Sequence, residues 1–231
     1  MKIPSVIANP ARDVWTGFQR CVDAGPKSAL LVIVGLWVGY WLYVPVHELL
    51  HAYGCMATGG EVTRLEIDAV YGGALLARFI PWVYSGSEYA GQLTGFDTGG
   101  SDLVYLATDM APFLLTIFPG VWLLLRQGRA GNGFRFGMAL PLALAPFFSL
   151  HGDAYEIGSI LTTNLGPWTD PDVVEVLRGD DLFLQASRVG ESELAPWAGW
   201  ALASAIGTVW AFATYGLGRL FVGRPAPEKQ A

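Results

Sequence analysis

The sequence predicts an all-α polytopic membrane protein with four transmembrane helices and a small β-hairpin after the first span. Three observations carry this prediction. Of 231 residues, 52% are hydrophobic and only 15% are charged, whereas average soluble domains carry about 25% charged residues; the mean hydropathy is +0.39. Four apolar runs, at about residues 28–54, 103–125, 136–161 and 195–222, are each long enough to cross a bilayer. Lysine and arginine alternate from one side of these runs to the other.

Residues 1–27 form an N-terminal segment expected to lie in the cytoplasm. Asn9-Pro10 reads as a cap followed by the first helical turn. Val14, Trp15, Phe18, Cys21 and Val22 then share one face, and Arg12, Asp13, Gln19 and Arg20 lie elsewhere. This is an amphipathic helix lying on the membrane surface or packed against the spans. Its charges are scattered and no short apolar core precedes a small-residue site, so no cleavable signal is expected. The first span is apolar from Ala29 to Val46. Pro45 is expected to kink it by removing a backbone hydrogen bond and freeing the carbonyl of Trp41.

An outer loop, 55–102, follows. Gly59-Gly60 ends the helix, and the alternation from Arg64 to Ala69 reads as a strand. Tyr71-Gly72-Gly73 is a turn, Ala74 to Val83 returns as the second strand of the hairpin, and Ser85 to Ser101 is a polar, glycine-rich loop. The second span holds Asp109, and a short basic loop, Arg126 to Arg135, joins it to the third. The second outer loop, 162–194, is acidic, and Asp170-Pro171 opens a short helix through Leu177. The fourth span and a polar tail, 223–231, complete a single four-span domain over residues 28–222.

Orientation follows from the basic residues. Lys2, Arg12, Arg20 and Lys27, then Arg126, Arg129 and Arg135, then Arg219, Arg224 and Lys229 make up 10 of the 14. The two outer loops hold the other four and 13 of the 20 acids. Both termini are therefore expected in the cytoplasm, in a bacterial or archaeal cytoplasmic membrane. Cys21 and Cys55 suggest no disulfide framework. No basic cluster suggests nucleic acid, so the lipid bilayer is the first expected partner.

The chemistry is concentrated in His47-Glu48-Leu49-Leu50-His51. Histidines four apart stand one helical turn apart on one face, where both imidazoles can hold one Zn2+ ion. Glu48, about 100° around the helix from His47, can reach a water at that ion as general base. A catalytic zinc takes three protein ligands and keeps one position open. The one remaining histidine, His151, and Asp153 both follow the apolar run Met138 to Leu150. Either could supply the third ligand, with the other orienting it or a water. Counted along their spans, His47 and Asp153 both lie about 26–28 Å from the inner end. Glu156 is a weaker candidate, and Asp109 reads more simply as an interfacial hydrogen-bonding acid. Cys55 lies too far along the axis to share the ion.

Residues 44–163 resemble the site-2 protease family of intramembrane zinc metalloproteases. The resemblance rests on Val46-His47-Glu48-Leu49-Leu50-His51-Ala52, the glycine turn Gly59-Gly60-Glu61-Val62, the strand around Arg64 to Ala69, and the small-residue stretch from Ala111-Pro112 to Gly120. In that family a later Leu-Asp-Gly motif gives the third zinc ligand. Here the chain reads Leu150-His151-Gly152-Asp153. One alignment puts His151 at that place; shifted by two, Asp153 keeps the aspartate but loses the glycine after it. Asp153 is favoured because it preserves the ligand chemistry.

The resemblance implies a zinc metalloendopeptidase that hydrolyses peptide bonds in transmembrane or membrane-proximal segments of a membrane protein substrate. The strand edge from Leu65 to Ala69 is expected to pair with an unwound substrate. Two rival readings stand beside it. One is a non-proteolytic subunit of a larger membrane complex whose histidines hold a structural metal, haem or pigment. The other is an inactive relative that binds membrane proteins without cutting them.

Overall fold

The structure, a computed structural model, describes residues 5–222. Lys2, Arg224 and Lys229, counted above for orientation, lie outside the described residues, as does most of the expected tail. In chain order the elements are α1 (Ser5–Asp23), α2 (Pro26–Ala57), β1 (Glu61–Ile67), α3 (Gly73–Leu76), β2 (Val83–Ser85) and β3 (Gly91–Asp97). There follow α4 (Asp102–Met110), α5 (Val121–Arg129), α6 (Gly133–Phe148), α7 (Asp153–Thr163), α8 (Pro171–Leu177), α9 (Leu182–Glu191) and α10 (Trp197–Phe221). Four helical stretches, Pro26–Ala57, Asp102–Arg129, Gly133–His151 and Trp197–Phe221, are long and apolar enough to cross a membrane. Along α2, Leu30, Ile33, Trp37, Trp41 and Val46 are exposed while His47 and His51 are buried. That inversion of the usual soluble pattern suits a helix whose outer surroundings are apolar.

The chain divides into two compact units. The first is built from the described parts of Met1–Tyr40, Leu115–Ala145 and Phe212–Ala231. In it α1 starts four residues before the expected cap, and Pro10 falls inside the helix, buried, where it removes one hydrogen bond. Ser28 Oγ donates to the Gly131 carbonyl (2.7 Å) and accepts from Gly133 N (3.0 Å), fixing the start of α2 to the turn before α6.

The second unit comprises Trp41–Leu114 and Pro146–Ala211. Its sheet corrects the expected hairpin. The order is β2-β1-β3, with β2 parallel and β3 antiparallel to β1. Residues 68–82 do not return as a strand. Asp68 caps a helical turn by accepting from Val70 N (2.8 Å), and Gly72 at φ +86° leads into α3. The long apolar side chains Leu76, Ile80 and Trp82 pack instead on buried Leu65, Ile67 and Val83, where Leu49 of α2 joins them. The antiparallel partner of β1 is β3, inside the stretch read as a glycine-rich loop. β1 is therefore the central strand, so its edge is not open to a substrate, and β3 carries an outer edge.

α2 runs through Pro45 as one element from Pro26 to Ala57. One further expectation changes. The third apolar run is not one helix: α6 ends in a tight turn, Ser149–His151, the chain breaks at Gly152, and α7 starts afresh at Asp153. The acidic loop matches its reading, since Asp170 accepts from Asp172 N (3.0 Å) and caps α8 at Pro171–Leu177.

Close backbone contact sets how α2 meets α4. A Cβ on Gly54 would lie 2.6 Å from the Ala107 carbonyl oxygen and 2.7 Å from the Ala111 methyl. Replacing Gly54 with leucine is expected to force the helices apart and cost about 1–3 kcal/mol. Thermal unfolding in detergent should show a lower Tm, whereas the same change at the exposed Tyr53 should leave it unmoved.

Candidate metal centre

His47 and His51 stand one turn apart on α2, and each is only 8% exposed. Leu49 points to the sheet core and the two histidines point to the first residue of α7. Their Nε2 atoms are 3.1 Å apart. His47 Nε2 is 3.2 Å from Asp153 Oδ2, and His51 Nε2 is 3.8 Å from Asp153 Oδ1. One ligand atom from each residue lies within 4.8 Å of the other two.

This triangle fits a small metal ion. Four ligands at zinc distances of ~2.05 Å in a tetrahedron have edges of ~3.3 Å, close to the shorter two spacings here. The outer nitrogens are also held. His51 Nδ1 donates to the Thr108 carbonyl of α4 (2.9 Å), which leaves its Nε2 lone pair facing the triangle. The Tyr43 hydroxyl lies 2.6 Å from His47 Nδ1, one turn earlier on the same helix face. With Nδ1–H donating to that hydroxyl, the second lone pair faces inward too. A His47-His51-Asp153 group that can hold a metal ion is thus present.

Asp153 reaches the histidines because the chain breaks at Gly152. The carboxylate sits in the first turn of α7, where the helix dipole favours an anion. His151, on the other side of the break, turns away. It is exposed, and its ring stacks on Phe183 of α9 with centroids 6.4 Å apart. The structure therefore resolves the choice between them in favour of Asp153 as the residue beside the pair, and His151 is not part of the group.

Glu48 is not among the three. It lines an adjoining cavity of about 430 Å³ together with His51 and Asp153. β3 forms one wall of that cavity from Gly91 to Thr94. A Cβ on Gly91 would lie 2.5 Å from Glu48 Cγ and 3.1 Å from Cδ, so a glycine is required for β3 to lie this close to the glutamate. The opposite wall is polar. Tyr105 donates a hydrogen bond to Glu156, and Asp109 is 3% exposed with Oδ2 lacking a hydrogen-bond partner. Asp109 and Glu156, weak candidates from sequence, face the cavity rather than the ligand triangle.

Gly179 and Asp180 complete the lining. They are held there by Arg178, which makes a two-pronged contact with Asp102 (2.6 and 2.9 Å) and donates from Nε to Thr163 Oγ1 (2.8 Å). Tyr43, Tyr105, Thr108 and Arg178 were not singled out from sequence. The signal for the tyrosines was present: Tyr43 precedes His47 by four residues, and Tyr105 precedes Asp109 by four, each on the same helix face. Arg178 carried no local signal, because its partners lie in distant parts of the chain.

No protein-family model matches the chain, and no curated protein or solved structure does either.

The triangle generates a direct test. Purified protein titrated with a divalent cation such as Zn2+ should bind one ion per chain at high affinity. His47→Ala and Asp153→Ala should each weaken that binding at least tenfold, whereas His151→Ala should leave it unchanged. Calorimetry with elemental analysis of dialysed protein checks all three.

Proposed function

We propose that the chain is a membrane-embedded zinc metalloendopeptidase of the kind the sequence resembles, cutting membrane-spanning or membrane-proximal segments of other proteins. The observation that carries the reading is the convergence of His47, His51 and Asp153 beside Glu48, at a cavity walled by the outer edge of β3. A divalent metal alone would fit several roles. A carboxylate next to it that is not a ligand, and an edge strand alongside, are the additional parts that peptide hydrolysis needs.

His47, His51 and Asp153 would hold the ion, with Tyr43 and the Thr108 carbonyl fixing the two rings. Zinc so held supplies Lewis acidity, lowering the pKa of water and polarising a carbonyl. Glu48 takes the proton from the attacking water as general base and returns it to the departing amine. The outer edge of β3 offers backbone donors and acceptors to an extended segment, which joins the sheet as a further strand. A helical substrate must unwind first, because its carbonyls are otherwise hydrogen-bonded along the helix. The polar wall of Tyr105, Asp109, Glu156 and Asp180 keeps water at the cleavage position. The distribution of arginines and lysines supports a reading with both termini in the cytoplasm and this cavity towards the outer side.

Glu48→Gln should keep the metal and lose peptide hydrolysis by about 10²–10⁴-fold. The check is cleavage of a reconstituted transmembrane substrate by gel shift, with metal content measured on the same sample. A Glu48→Gln protein that keeps its metal and cleaves at the wild-type rate defeats the proposal.

A further inference from the structure

A second cavity, of about 260 Å³, lies in the other unit, where α1, α5 and the last turn of α10 meet. Its wall carries four arginines, Arg12 and Arg20 from α1, Arg129 from α5 and Arg219 from α10. They come from three separate stretches of the chain, and all four belong to the set that marks the cytoplasmic side. Asp13 is the sole acid among the described residues of the lining. It accepts from the Tyr215 hydroxyl (3.0 Å) and lies 3.4 Å from Arg219 Nε. Burial pushes its carboxyl above the usual range, while Arg219 and the Tyr215 hydrogen bond pull the other way. Arg219 is thus paired with Asp13, and the guanidinium groups of Arg12 and Arg129 line the same cavity.

The geometry is built in by the helix contact below it. The Cα of Gly17 lies 2.9 Å from where a Gly128 Cβ would stand, so α1 crosses α5 at backbone distance. Arg12, Thr16 and Arg20 recur at four-residue spacing along α1 and so share one face, at the side of the Gly17 contact. Leu124, Leu125 and Val222 form the apolar part of the lining. On its other side α1 exposes Trp15, Phe18 and Val22, which suit the level of lipid headgroups.

We propose that this cavity binds the phosphate headgroup of an anionic phospholipid from the cytoplasmic leaflet. Arginine matches phosphate oxygens in pairs, and basic pockets between spans on the cytoplasmic side are suited to such headgroups. The apolar floor favours a lipid over a free phosphate ion, because a glycerol backbone and the start of an acyl chain can cover it. The volume takes a headgroup and leaves the chains in the bilayer. The inference uses the membrane orientation but not the protease reading, and its readout does not involve cleavage.

The test is native mass spectrometry of the full chain in neutral detergent, titrated with phosphatidylglycerol, phosphatidylcholine or inorganic phosphate. One phosphatidylglycerol should be retained in preference to phosphatidylcholine, and millimolar phosphate should not displace it. Arg12→Gln and Arg129→Gln should each weaken retention about fivefold, and the double variant more than either alone. The charge-matched control Arg78→Gln/Arg188→Gln should bind as wild type. Unchanged metal content and Tm show that the double variant is folded. Wild-type retention by the folded double variant overturns the proposal, as does equal retention of phosphatidylcholine. Full displacement by phosphate would assign the cavity to a free anion instead and overturns it too.

Discussion

Two imidazole nitrogens and the two oxygens of one carboxylate, at 3.1 Å between the nitrogens and 3.2 and 3.8 Å from nitrogen to oxygen, are the constraint on which the second unit is organised. Each group loses hydration there, and each presents a lone pair to the others. Lone pairs facing one another repel unless a proton or a cation lies between them. A proton satisfies one pair at a time, whereas a divalent ion satisfies all three together. This reasoning favours a metal without naming its element, and the nitrogen and carboxylate donors are those that zinc accepts.

What brings Asp153 and the Thr108 carbonyl to the two histidines lies outside the motif itself. Gly54 lets α2 approach α4, and only at that distance does the Thr108 carbonyl orient His51. Gly152 breaks the chain so that Asp153 opens a helix instead of continuing one. Arg178 ties the start of α4 to the end of α7, which fixes α7 at the other end from Asp153. These three features come from separate stretches of the chain and act on the same few ångströms of space. A site this tight tolerates little displacement, since a positional error of about 1 Å is enough to spoil metal or substrate geometry.

The helical frame was legible in the sequence because its signal is compositional: long apolar runs survive any error in register. His47, Glu48 and His51 were legible because one helix fixes their relation. The third member of the group was not, because His151 and Asp153 flank a glycine and the choice depends on the backbone at Gly152, which leaves no trace in hydropathy. The sheet was misread for a related reason. β3 contains Gly91 and Gly95 and alternates weakly, so its pairing comes from backbone hydrogen bonds to β1 rather than from side-chain pattern. The run from Ala74 to Val83 looked like a strand but had an apolar face to bury, and helical turns over Leu65 and Ile67 buried it better. The arginine cavity was not legible as a site: its basic residues could be counted, and only the fold brought three distant stretches together.

The carboxylates around the first cavity have a consequence for the proposed chemistry. Glu48, Asp109, Asp153, Glu156 and Asp180 line it, and no lysine or arginine does among the described residues. A wall of that sign concentrates cations, which assists metal loading. It also draws water into a region whose outer surface is apolar. Under the proposed reading, that lining would act on substrate choice as well as on hydration, favouring unwound segments that are neutral or basic near the cut over acidic ones.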